Sequence, residues 1–79
     1  MTPLERYLEH CRIKQKDLAT ATGLDPGAVN RVVRGKGCHP NTAVRILAVL
    51  PLAAQLGFDE RHILLPTVRP YADWVPPAT

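Results

Sequence analysis

The chain has 79 residues, a net charge of +3 at pH 7 and two cysteines. A chain this short forms one domain at most, buries only about 60% of the surface its unfolded form exposes, and has little room for a catalytic cleft. No apolar run approaches the roughly 20 residues needed to cross a bilayer, and the N-terminus lacks a charged-then-apolar leader, so a cytoplasmic protein is expected, with Cys11 and Cys38 as reduced thiols.

The charge is segregated. Arg12, Lys14, Lys16, Arg31, Arg34, Lys36 and Arg45 face only Asp17 and Asp25 between Arg12 and Arg45, a local balance of +5 that leaves −2 for the remainder. Such a distribution points to a polyanionic partner for the middle of the chain; the competing reading is a solvated basic face.

The elements are expected to be helices throughout. Thr2, Pro3, Leu4 and Glu5 read as a capping box with proline at the first helical position. Leu4, Tyr7, Leu8 and Cys11 then fall on one face of helix 1, which should end near Arg12, with Ile13 as a core plug in the connection. The second helix starts at Gln15 after Lys14, a poor cap without an acceptor, and turns Leu18 and Ala19 inward. Gly23 closes it in the left-handed conformation, and Leu24 folds back over the end. Asp25 and Pro26 open a third helix, in which Val29, Val32 and Val33 form the apolar stripe and Asn30, Arg31 and Arg34 point away.

After Gly35, Lys36 and Gly37, a loose basic loop leads through Cys38 and His39 to a fourth helix. Asn41 is its expected N-cap, and Val44, Ile46, Leu47, Val49 and Leu50 its apolar surface. Pro51 is read as the start of a fifth short helix running to Leu56 and stopped by Gly57, with a single kinked helix as the alternative. Asp59 could cap one further turn through Leu64, with His62 exposed. From Pro66 onward four prolines in fourteen residues, together with Tyr71 and Trp74, predict an extended or polyproline-like tail. Its aromatics favour docking, on the chain's own domain or on a second subunit. The expectation is therefore an all-α, compact five-helix domain over residues 1–65 with a Pro-rich tail over 66–79.

Gln15, Leu18, Ala19, Thr22, Gly23, Leu24, Val29, Arg31, Val32, Arg34, Gly35 and Lys36 together resemble the gapless helix-turn-helix of the Cro and phage-repressor superfamily, the XRE type, and the likeness continues through Pro40, Asn41, Val44 and Ile46. A glycine-closed turn sets two short helices at about 90 to 120° and frees the second to enter a major groove. The resemblance implies a lambda-repressor-like fold and a sequence-specific, double-stranded-DNA-binding transcriptional regulator: a phage or bacterial repressor or autoregulator, associated with the nucleoid and needing no cofactor. Asn30, Arg31 and Arg34 take the groove-facing positions, where Arg suits guanine and Asn adenine. Gln15 would contact phosphate and buttress the reading helix; Lys14, Lys16 and Lys36, with the start of the fourth helix at Asn41 and Thr42, are further phosphate candidates.

Pro26 and Gly27 depart from the family pattern, because neither offers a side chain to a base edge. Readout then shifts to Ala28, which can touch a thymine methyl, and deeper along the helix, while Gly27 allows a close approach. One helix reads few bases, so a homodimer on an inverted repeat is expected, with half-sites roughly 34 Å apart. Leu52, Leu56, Phe58, Ile63, Leu64, Leu65, Tyr71 and Trp74 are the candidate dimer surface. The alternative is an adaptor or antitoxin-like module whose tail binds a partner protein. His10 with Cys11 and Cys38 with His39 lack the spacing of a metal site, and no nucleophile elbow or phosphate loop appears, so neither a metal centre nor an enzyme is expected.

Overall fold

A computed structural model describes residues 2–77, and among them every regular element is helical. Five α-helices, α1 (Pro3–His10), α2 (Gln15–Thr22), α3 (Pro26–Val33), α4 (Pro40–Val49) and α5 (Glu60–Leu64), are followed by a 3-10 turn over Tyr71–Asp73. α2 packs against α3 and α4, and α5 against α1 and α4.

Local chemistry explains most of the boundaries. Thr2 caps α1 by accepting from the Glu5 N–H, and Asp25 caps α3 by accepting from the Gly27 N–H. The box expected at Thr2 is one-sided, since among the described residues only the Thr2 hydroxyl takes part in it; that hydroxyl also donates to the Val33 carbonyl and so ties the start of α1 to the end of α3. α1, α2 and α3 close in the same way. In each, an N–H two or three residues past the end returns to a carbonyl five residues back: Ile13 to Leu8, Leu24 to Ala19, Lys36 to Arg31. The intervening residue is left-handed in all three, Arg12 (φ 56°), Gly23 (φ 73°) and Gly35 (φ 84°). Ile13 and Leu24 then pack on the core as the apolar lids of these ends.

Gly35 is also sterically pinned, since a Cβ there would lie 3.1 Å from Thr2 Cγ2. Gly35→Ala should therefore combine left-handed strain with displacement of the Thr2 cap and cost about 1–2 kcal/mol, a fall in Tm of roughly 5–15 °C. Gly23→Ala has free space around its new Cβ and should lose only the smaller strain term; thermal unfolding of both variants side by side checks the order.

Four expectations are corrected. The fourth helix is capped by His39, whose Nδ1 accepts from the Asn41 N–H at 3.2 Å, so Asn41 lies inside the helix as an exposed residue and His39 is not a free loop residue. Its buried stripe is Ala43, Ile46 and Leu50 with Leu47 half-buried, whereas Val44 (51% exposed) and Val49 (36%) face outward. No helix forms over 51–56: Pro51 holds Leu50 extended at ψ 122°, Leu52 takes φ 60°, and the segment is a set of turns closed by Phe58 N–H to Ala53 O. His62 is buried, because its Nδ1 completes a capping box with the Asp59 N–H at 3.0 Å while Asp59 accepts from the Arg61 N–H.

Between Pro66 and Trp74 the tail docks on its own domain and is not extended, while the last two residues of the 66–79 expectation lie outside the described residues. Turns and the 3-10 segment bring Trp74 back into the core, 7% exposed, where its Nε1–H donates to the Leu56 carbonyl at 3.1 Å. Trp74 meets Phe58 edge-to-face at 5.2 Å and Tyr7 at 5.8 Å between centroids, and Phe58 stacks on the His62 ring at 5.0 Å. Tyr71 completes the seat by accepting from Arg61 Nη1 at 2.8 Å. Burial, and secondarily the neighbouring Cys11, pushes the Tyr7 phenol up to about 12, so it stays neutral inside this cluster.

Candidate nucleic-acid interface

α3 is held at both ends, by the Asp25 cap and by the Thr2 bond to Val33, and its Val29, Val32 and Val33 are buried. At roughly 100° of rotation per residue, the direction opposite that stripe is occupied by Gly27, Arg31 and Arg34, all exposed. Asn30 and Ala28 sit on the two flanks and are half-buried. Asn30 faces α2, where its Nδ2 donates to Gln15 Oε1 at 3.1 Å. On the other flank, Ala28, Arg31 and Val32 border a hollow completed by Gly37, Cys38, His39 and Thr42. The reading-helix candidate Arg31 and the first turn of α4 thus share one concave surface.

The basic residues of this region lie on the surface. Lys14, Lys16, Arg31, Arg34 and Lys36 are all exposed, and none forms an ion pair among the described residues. Charges on α2, α3 and their flanks that are not neutralised within the chain leave their electrostatic attraction available for a ligand. Gln15 is half-buried at the start of α2, while Asn41 and Thr42 lie in the first turn of α4. Cys38 is a free thiol in the hollow's wall, and burial raises its pKa, which disfavours a reactive thiolate there.

The residues expected to form a subunit contact divide. Phe58, Ile63 and Trp74 belong to the protein's own core and are not surface groups; Leu56 and Leu64 are half-buried against it; Tyr71 is half-buried by the Arg61 contact. Leu52 (60% exposed) and Leu65 (41%) remain outside. Burial of Trp74 is the property that sequence patterning left open. Its only advance signal was an aromatic-bearing tail on a chain otherwise short of core.

The fold and this surface define an all-α protein built around a helix-turn-helix, in which α2 supports α3 and α3 presents a basic, exposed strip. A family described as winged helix-turn-helix DNA-binding matches residues 4–34, the segment that runs through α1 and α2 to the end of α3. The match covers less than half of the chain, and over it the sequence is similar to a DNA-binding helix-turn-helix. Beyond Arg34 the described residues contain no strand from which a wing could be built and continue into α4 instead. Neither the curated proteins nor the solved structures contain a match to the chain. No helix among the described residues is long and apolar enough to cross a membrane.

Proposed function

We propose that this protein is a sequence-specific transcriptional regulator that inserts α3 into the DNA major groove, with Arg31 and Arg34 reading base edges. The single observation that carries the reading is the strip of Gly27, Arg31 and Arg34 on the outward side of a helix whose opposite side is fixed in the core. Gly27 has no bulk to hold the helix away from the groove floor. Long helical side chains lean toward the N-terminus, so Arg31 covers the patch that Gly27 leaves bare. Lys14, Lys16 and Lys36, with Gln15 and the first turn of α4 at Asn41 and Thr42, contact the flanking phosphates. The gapless turn and the wingless continuation into α4 support a Cro-like, XRE-type module within the broader helix-turn-helix class.

In vitro selection of bound DNA, followed by gel shifts across a salt series, tests this directly. A defined half-site should emerge, and affinity should fall by at least about tenfold between about 50 and 200 mM salt, as expected when several phosphates are neutralised. Salt-insensitive binding, or no enrichment, would remove the proposal.

A two-fold pair of reading helices on an inverted repeat supplies enough base contacts for operator choice, and repression then follows from occupying a promoter. The apolar side chains left outside the core, Leu52 and Leu65 among them, support a homodimer with Leu56 and Leu64 at its margin. Leu52→Glu should abolish self-association in sedimentation measurements while leaving the helical circular dichroism of the protomer unchanged.

The adaptor reading rested on Tyr71 and Trp74 reaching a partner protein. Both are engaged by their own chain, which leaves the tail without the anchors that reading requires.

A further inference from the structure

Arg6, Glu9 and His10 of α1 and Pro76 of the C-terminal segment line an open hollow of about 310 Å³. None of the four belongs to α2, α3 or α4, so the hollow is separate from the basic surface described above. Arg6 and His10 are one helical turn apart and fall on one side of α1. The Arg6 side chain is half-buried, and its Nε is shut off from solvent without a hydrogen-bond partner among the described residues. Nor does Arg6 form an ion pair there: those present join His62 to Asp59 and Arg69 to Asp73, and Glu9, three residues on, stays out of pairing distance.

The inner edge of this guanidinium has lost water without gaining an acceptor, so its charge is incompletely solvated and has no counter-ion. The Nη groups, which keep contact with solvent, present donors in the planar fork that matches a carboxylate. His10 adds an imidazole N–H one turn away. The Pro76 ring and the aliphatic stem of Arg6 supply an apolar wall. The volume lies at the lower end of small-molecule sites, about 300–1,000 Å³. Glu9 sets one negative charge at the rim, which disfavours a doubly charged phosphate more than a singly charged carboxylate.

We propose that this hollow binds a small organic carboxylate with an apolar body, Arg6 pairing with the carboxylate and Pro76 covering the body. The occupant bridges α1 and the chain two residues past Trp74, and so holds the C-terminal segment on the domain. The site is independent of the DNA-binding reading and stands or falls without it.

Benzoate is the probe, titrated into the full chain and followed by the amide NMR shifts of Arg6, His10 and Val75 and by thermal melts. Saturable binding with a dissociation constant on the order of 1–10 mM is expected for a ligand this small. Tm should rise with benzoate concentration, because only the folded chain has the hollow. Benzamide keeps the shape without the charge and acetate the charge without the body, so each should bind at least about 5-fold more weakly. Arg6→Ala should weaken benzoate by about 10-fold or more, and Arg6→Lys, which keeps the charge but loses the fork, should also lose affinity. Glu9→Gln should tighten binding by about 2-fold, since it removes a like charge. Circular dichroism establishes that each variant is folded; if Arg6→Ala were not, Arg6→Lys and Glu9→Gln decide. The proposal is overturned if benzamide or inorganic phosphate binds as well as benzoate, if the folded Arg6 variants bind as wild type does, or if the shifts fail to saturate below about 50 mM.

Discussion

Replacing Trp74 by alanine is expected to bring the protein to the edge of unfolding. The indole is buried against Tyr7, Phe58 and His62 and bonded to the Leu56 carbonyl, and truncating such a side chain costs about 3–5 kcal/mol. Domains of this size hold only about 0.05–0.15 kcal/mol per residue. Tm should therefore drop by at least about 12 °C, and removal of residues 67–79 should do as much. Trp74→Phe retains most of the apolar contact and leaves the Leu56 carbonyl unpaired, so it should lose only about 1 kcal/mol. Differential scanning calorimetry on the three variants resolves the order. A Trp74→Ala variant as stable as wild type would mean that the tail rests on the domain without contributing to its core.

The largest functional effect is expected at Arg31 and Arg34. Each alanine substitution should remove roughly 1–3 kcal/mol of discrimination at its own base pair, an approximately 5- to 150-fold loss on the selected half-site with a smaller loss on sequences that already carry the wrong base. Lys16→Ala should instead weaken all sequences by a similar factor and reduce the salt slope by about one. Selection repeated with each variant separates the two behaviours. If all three variants gave the same uniform loss, α3 would be a clamp on the phosphates and specificity would have to come from DNA deformability.

What could be read in advance was governed by local rules. Thr2 with Pro3, Asp25 with Pro26, and Gly23 with Leu24 act within one turn of the helix they start or stop, so their roles were evident from adjacent residues, as was the division of α3 into a valine stripe and an arginine strip. The miss at His39 was chemical: an imidazole nitrogen can accept an N–H as an aspartate does, but histidine is not among the residues preferred at that position. At 51–56 the proline is incompatible with continuing α4, its restriction falls on Leu50, the residue before it, and the left-handed Leu52 then prevents a new helix. His62 and Trp74 were misjudged or left open for a different reason. Trp74 is buried against Tyr7 and Phe58, and His62 packs on Tyr71 and Trp74 as well as on nearby Phe58; no periodicity in a five-residue helix or a proline-rich tail encodes the return of that tail. The same holds on α3, where Asn30 reads as outward by residue type but is half-buried with its amide bonded to Gln15.

Trp74 is the sole tryptophan of the chain, and it is seated among Tyr7, Phe58 and His62, none of which belongs to α2 or α3. Its emission is therefore an intrinsic optical gauge of whether the C-terminal segment is in place, shifting to longer wavelength when the indole meets water. Because the gauge lies outside the helix pair that would touch DNA, a titration with operator should leave its wavelength steady while a denaturant series moves it. Occupancy and integrity can thus be followed in one unlabelled sample.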